Sequence, residues 1–191
     1  MIILSKDALY QALMDDIAEV IKKEENINLI TEAYLLAKEK HLGQMRKSGE
    51  PYITHPVAVA RILAEIEAGP NTLVAALLHD TVEDTDLTLQ DLEKKFGKDI
   101  ASLVDGVTKL EKISFQQSTQ TDNQQKMLLA MAKDIRVVLI KISDRMHNMR
   151  TLDSMISEKQ VRIANETLDI YAPIAHRLGL FRWKAELEDR S

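Results

Sequence analysis

The chain has 191 residues, of which 45% are hydrophobic, 29% charged and only 4% aromatic, and it carries a net charge of −5. That hydrophobic content excludes a disordered chain, and six glycines with four prolines are too few for a turn-rich sandwich or barrel. An excess of 30 acidic over 25 basic residues argues against a protein that lives on duplex DNA.

Helical spacing recurs along the chain. Leu9, Leu13, Ile17 and Val20–Ile21 recur at three- and four-residue intervals and predict an opening helix capped by Ser5. Asn26 is the expected cap of the next helix, whose stripe runs through Leu29, Ala33, Leu36–Ala37 and Lys40 and stops at Gly43. The polar stretch QMRKSGEPYITHP reads as an ordered loop, and Pro56 suits the first position of a third helix reaching about Ile66. Pro70 opens a short helix, NTLVAALLHD, that is apolar all round and therefore belongs in a core.

Thr88 and Asp91 have the spacing of a capping box, and the helix they start should end at Gly97. A helix over 98–112 precedes SFQQSTQTDNQQ, whose lack of apolar periodicity predicts a surface loop. Three more helical patterns cover 123–133, 134–151 and 158–178, the last kinked at Pro173 and ended by Gly179. The segment DIRVVLIKI is rich in Val and Ile, but Ile135, Val138–Leu139, Ile142, Met146 and Met149 follow helical spacing. FRWKAELEDRS reads as the start of another helix. The fold class expected is an all-α helical bundle.

With no cysteine, any metal site must use His, Asp or Glu. Lys6 and Asp7 interrupt the apolar start, so no signal peptide is expected, and no run reaches the about 18 apolar residues of a membrane span. The expected compartment is the cytoplasm, with neither membrane nor DNA as a partner.

His79 ends the apolar helix and Asp80 follows at once. A carboxylate emerging from a core helix is costly unless something pairs with it, and a divalent cation is the simplest partner. His55, 24 residues upstream, and Asp144, within the apolar pattern of a later helix, are candidate co-ligands. Glu83 and Asp84 follow the His-Asp pair at an interval of four, which places each on its partner's helix face. Asp144, Asn148 and Thr151 fall at i, i+4 and i+7 and share one face. Arg46 and Lys47, next to Ser48, offer donors suited to a phosphate or a purine face.

His55, His79–Asp80 and Asp144 together resemble the H…HD…D arrangement of the HD superfamily of metal-dependent phosphohydrolases. The stretches HLGQMRKSGEPYITHPVAVA, AALLHDTVEDTDLT, FGKDIASLVDGVTKL, ISDRMHNMRTL and YAPIAHRLGL are similar to the hydrolase domain of RelA/SpoT-type proteins, from about residue 25 to 180. The resemblance implies an HD-domain helical bundle over 1–180, with 181–191 starting a connector toward a synthetase domain. It implies one Mn2+ ion held by His55, His79, Asp80 and Asp144, with Glu83 and Asp84 handling the attacking water. Arg46, Lys47 and Ser48 then match the loop that holds the guanine nucleotide, and Asn148 and Thr151 residues near the ribose.

The activity implied is hydrolysis of the 3′-pyrophosphate of ppGpp or pppGpp, with possible contact to a synthetase or regulatory region. Alternatives are an HD-type nucleotidase or phosphatase on another phosphorylated nucleotide, and a non-catalytic alarmone-binding module. Arg145, His147 and Arg150 share the last motif and are read first as structural; His41 and His176 match no metal motif. The Gln-rich 112–125 stretch, Ser143 and Met146 depart from the usual pattern without touching the ligand set.

Overall fold

In the first part of the chain the most apolar helix is wrapped by the others. The computed structural model describes residues 7–111 and 120–191, with side chains described for 7–110, 125, 127 and 129–191. Among these residues the regular structure is helical, apart from an isolated antiparallel bridge between Met45 and Pro51. The chain divides into two compact units, Met1–Lys109 and Leu110–Ser191.

In the first unit, α1 (Ala8–Ile17), α2 (Glu24–Lys40) and α3 (Thr54–Ala64) precede α4 (Pro70–Leu78). Pro70 stands in the first turn, where its missing N–H costs nothing. Every α4 residue from Thr72 to Leu78 is buried. Burying side chains such as Leu73, Val74, Leu77 and Leu78 contributes about 1.5–3 kcal/mol each, which fixes the helix as the unit's centre. α2 and α3 pack against it, and α1 packs on α3. The single turn α5 (Thr81–Asp84) follows, then α6 (Leu89–Phe96) and α7 (Lys98–Glu111). The capping box at α6 forms as expected: Thr88 Oγ1 accepts from the Asp91 amide, and Asp91 accepts from the Thr88 amide.

Several helix starts differ from expectation. α1 is capped by Asp7, whose carboxylate accepts from the Tyr10 amide, the Tyr34 hydroxyl (2.6 Å) and the Lys38 ammonium; Ser5 lies outside the described residues. Burial raises the Asp7 pKa, but the Lys38, Tyr34 and Tyr10 donors outweigh it and hold the carboxyl below its ordinary value. α2 begins at Glu24, two residues before Asn26, and its buried side is Ile30, Ala33, Tyr34 and Ala37. The face is turned because Tyr34 reaches Asp7. α3 begins at Thr54, so Pro56 falls inside the first turn, where no intrahelical amide bond is required.

The second unit contains α8 (Gln120–Lys133), α9 (Ile135–Arg150), α10 (Ser157–Glu166), α11 (Ala172–Arg177) and α12 (Phe181–Asp189). Residues 120–124, expected in the Gln-rich loop, are the start of α8; residues 112–119 lie outside the described residues. α9 packs against both α8 and α12. It buries Val137, Val138, Ile140, Ile142, Met146 and Met149, whereas Ile135 is exposed. Burial on several sides, not strand alternation, accounts for its Val/Ile-rich composition.

The long pattern 158–178 is interrupted by a π turn at Thr167–Tyr171. Pro173 follows it; with no N–H and a ring that crowds the preceding turn, it favours such a widening. The Arg145 guanidinium lies 4.3 Å from the Tyr171 ring centroid and 3.1 Å from the Glu166 carboxylate, which ties α9 to this turn. α11 closes in a Schellman motif: Gly179, at φ +74°, donates to His176, and the Leu180 amide donates to Ala175. Arg150 grips Glu186 with two bonds of 2.6 and 2.8 Å, and Trp183 and Leu187 bury one side of α12.

Candidate metal centre

The apolar drive that buries α4 carries His79 to its C-terminal end with the side chain fully enclosed. Its Nδ1 lies 2.8 Å from the Ala76 carbonyl oxygen. A carbonyl only accepts, so Nδ1 carries the hydrogen, and in the neutral form of the ring Nε2 presents its lone pair. Nε2 lies 3.0 Å from Asp80 Oδ1. His55, in the first turn of α3 and equally buried, sets its Nε2 3.5 Å from Asp80 Oδ2. The three ligand atoms lie within 4.8 Å of one another.

An imidazole lone pair aimed at a carboxylate oxygen at such a distance is unfavourable unless positive charge comes between them. A proton on one ring or a shared cation supplies it. Convergence of two imidazoles on one carboxylate fits a cation, and this nitrogen-and-oxygen donor set suits zinc, iron or manganese.

α5 is a single turn started by Asp80, whose backbone carbonyl accepts from the Glu83 and Asp84 amides. Both acidic side chains are exposed. Asp84 does lie on the Asp80 side, as the interval of four implied, because both carboxylates meet one group: the Tyr52 hydroxyl, 2.7 Å from Asp80 Oδ2 and 3.0 Å from Asp84 Oδ2. Burial, followed by the charges of and hydrogen bonds to Asp80 and Asp84, pushes the Tyr52 hydroxyl far above the ordinary phenol value, so it keeps its proton and donates. Asp86, further along, pairs with Lys40 at 2.8 Å at the surface, and that ammonium holds its pKa below the ordinary carboxylate value.

The loop with Arg46, Lys47 and Ser48 is a closed turn. Arg46 donates to the Glu50 carbonyl, Tyr52 to that of Gln44, and Gly49, at φ +87°, to that of Arg46. Lys47 and Ser48 are exposed at its tip, with Ser48 Oγ 3.4 Å from Glu50. The Arg46 guanidinium lies 6.0 Å from the Tyr52 ring centroid.

In the second unit, the expected polar face of α9 forms. Asn148 donates to Asp144 Oδ1 and Lys141 to Asp144 Oδ2, each at 2.7 Å, and both Lys141 and Asp144 are buried. The Thr151 hydroxyl turns back to the His147 and Asn148 carbonyls at the helix end.

Tyr52 and Lys141 were not singled out from sequence. The signal for Tyr52 was an aromatic residue in a polar Gly/Pro loop three positions before a candidate ligand. For Lys141 it was a lysine within the run VVLIKI, three residues from Asp144. His41, read as structural, stacks on Tyr52 at 4.5 Å and hydrogen-bonds Gln44 at 2.7 Å, beside the centre but outside its ligand set.

A helical bundle whose His-Asp pair stands at a core-helix end with a second histidine beside it defines the class. The family model described as an HD domain matches residues 33–181, and the chain belongs to that family, a metal-dependent hydrolase fold. It is 53% identical over 183 residues, 95% of its length, to a protein of Escherichia coli (strain K12) named bifunctional (p)ppGpp synthase/hydrolase SpoT. A Haemophilus influenzae protein named guanosine-3′,5′-bis(diphosphate) 3′-pyrophosphohydrolase is 55% identical over 159 residues, 82% of this chain and 24% of that one. The chain spans 26% of the length of the Escherichia coli relative. A solved structure described as a metazoan ortholog of SpoT that hydrolyzes ppGpp superposes with a TM-score of 0.58 at 29% identity, over 85% of this chain and 84% of that one. Among the described residues no helix is long and apolar enough to cross a membrane.

Proposed function

We propose that this chain is a (p)ppGpp 3′-pyrophosphohydrolase, releasing pyrophosphate from the ribose 3′ position of ppGpp or pppGpp to leave GDP or GTP. The carrying observation is the convergence of His55, His79 and Asp80 within 4.8 Å. The named activities of the relatives supply the substrate class.

In this reading His55, His79, Asp80 and Asp144 are the metal ligands and manganese is the ion. The bound ion polarises a phosphoryl oxygen and makes water more acidic. Glu83 accepts the proton of the attacking water, and Asp84, tied to Tyr52, orients it. Arg46, Lys47 and Ser48 hold the guanine nucleotide and offset its negative charge, which an acidic protein otherwise repels. Asn148 and Thr151 serve the ribose side and fix the 3′ position. Residues 1–180 form the hydrolase region and 181–191 lead toward a synthetase region that it contacts, and the protein works in the cytoplasm.

The test is metal-stripped protein incubated with ppGpp, with and without manganese, with products resolved by anion exchange. Manganese-dependent GDP and pyrophosphate are expected. Equal turnover of simple nucleoside phosphates, or ppGpp binding without turnover, overturns the assignment.

A further inference from the structure

Tyr52 stands where three parts of the first unit meet. Its backbone amide closes the 44–52 loop on the Gln44 carbonyl at 2.9 Å, beside the Met45–Pro51 bridge. Its ring is clamped between neighbours: stacked on His41 at 4.5 Å, edge-on to His55 at 5.9 Å, and faced by the Arg46 guanidinium. Its hydroxyl proton is shared between Asp80 Oδ2 and Asp84 Oδ2. A second strand of contacts runs alongside, since His41 bonds Gln44 and the Gln44 amide donates to the Asp84 carbonyl at 3.1 Å.

We propose that Tyr52 is a positioning residue that fixes the Asp80 and Asp84 carboxylates at the metal centre and couples them to the loop bearing Arg46, Lys47 and Ser48. The torsion that orients a carboxylate is soft, so Asp80 needs an outside group to keep one oxygen toward His79 and the other toward His55. Tyr52 supplies that group from a ring that cannot swing, because His41 and His55 occupy its sides. The same ring backs Arg46, so displacement of the loop moves the hydroxyl that holds both acids. The proposal rests on the metal centre and activity assigned above.

Tyr52→Phe removes the hydroxyl and keeps the ring. Metal-stripped wild type and variant are titrated with manganese calorimetrically, their melting temperatures compared without metal, and kcat and KM for ppGpp measured separately. The variant should bind manganese about tenfold more weakly and lose about tenfold or more in kcat, the range seen when groups supporting metal ligands are removed. KM and the metal-free melting temperature should stay near the wild-type values. Tyr52→Leu, which also loses the stacking, should in addition raise KM. Wild-type manganese affinity and kcat in the Phe variant overturn the proposal, as does a loss of activity that tracks a lowered melting temperature alone. If the wild type binds manganese yet leaves ppGpp intact, the activity assignment falls, and the manganese titration still decides the role of Tyr52. A wild type that binds no manganese overturns both.

Discussion

Asp80 and Asp144 are both acidic residues set against buried apolar side chains, one in each unit, yet their oxygens meet different groups. Asp80 faces two imidazole Nε2 atoms and a phenol hydroxyl. Asp144 faces a buried lysine and an amide. The second carboxylate therefore has an ammonium at 2.7 Å, whereas the first meets two imidazole rings and a phenol. Imidazole nitrogens and carboxylate oxygens that converge on one point form a donor set for a cation, whereas the Asp144 carboxylate already meets an ammonium. The two carboxylates thus differ in their surroundings: Asp80 stands within a nitrogen-and-oxygen donor cluster, and Asp144 is held by hydrogen bonds from its own helix.

The contrast is most directly broken at Asp80. Asp80→Ala should abolish manganese binding in a calorimetric titration and bring ppGpp turnover below detection; retained binding would mean that the histidines converge for structural reasons. Lys141→Ala leaves the Asp144 charge buried without its ammonium and should lower stability in urea by about 3–5 kcal/mol. A variant as stable as the parent would mean that Asp144 has another counter-charge. Glu83→Gln separates metal holding from chemistry: manganese affinity should be unchanged while kcat falls about a hundredfold, the usual contribution of a general base. Full activity in that variant would remove Glu83 from the mechanism.

Asp7 extends the comparison to a site with no proposed ligand. Like Asp144 it has an ammonium and neutral donors, here Lys38, Tyr34 and the Tyr10 amide. Its pKa in the folded state lies below the ordinary 3.8, so the folded state binds the proton less readily than the unfolded chain. The stabilisation is present above that ordinary value and is lost as pH falls through the lower folded value. Asp7→Asn keeps a capping side chain but removes the charge that accepts from Tyr34 and Lys38; it should cost about 1 kcal/mol at neutral pH and flatten the acid limb of a stability–pH profile below about pH 4. An unchanged acid limb would assign that dependence to other carboxylates.

Much of this architecture was legible because helix formation is local. The capping box at Thr88, the break at Gly69–Pro70 and the stop at Gly179 each act within one turn, and they lie where spacing placed them. Asn26 misled because a good capping residue is also tolerated inside a first turn, and the Tyr34–Asp7 bond, across 27 residues, turned the buried face of α2. The His79–Asp80 pair was readable for a local reason as well, since adjacent polar residues at the end of an apolar helix leave few structural explanations.

By itself the sequence determined the helical class, the order of the elements, the exclusion of cysteine from any metal site and the candidates His55, His79 and Asp80. Water exclusion acts at each position with the period of the helix, so a linear pattern records which faces are buried. The tertiary structure alone decided that Tyr52 bridges Asp80 and Asp84, that His41 backs it, and that Lys141 neutralises Asp144 within the core. Tyr52 reaches residues 28 and 32 positions away only because the 44–52 turn closes and α3 packs on α4. Such a meeting depends on helix packing and loop closure, which no spacing along the chain encodes. For Lys141 the deciding fact is that α9 is enclosed on more than one side, so a lysine that would otherwise lie in water meets a carboxylate instead.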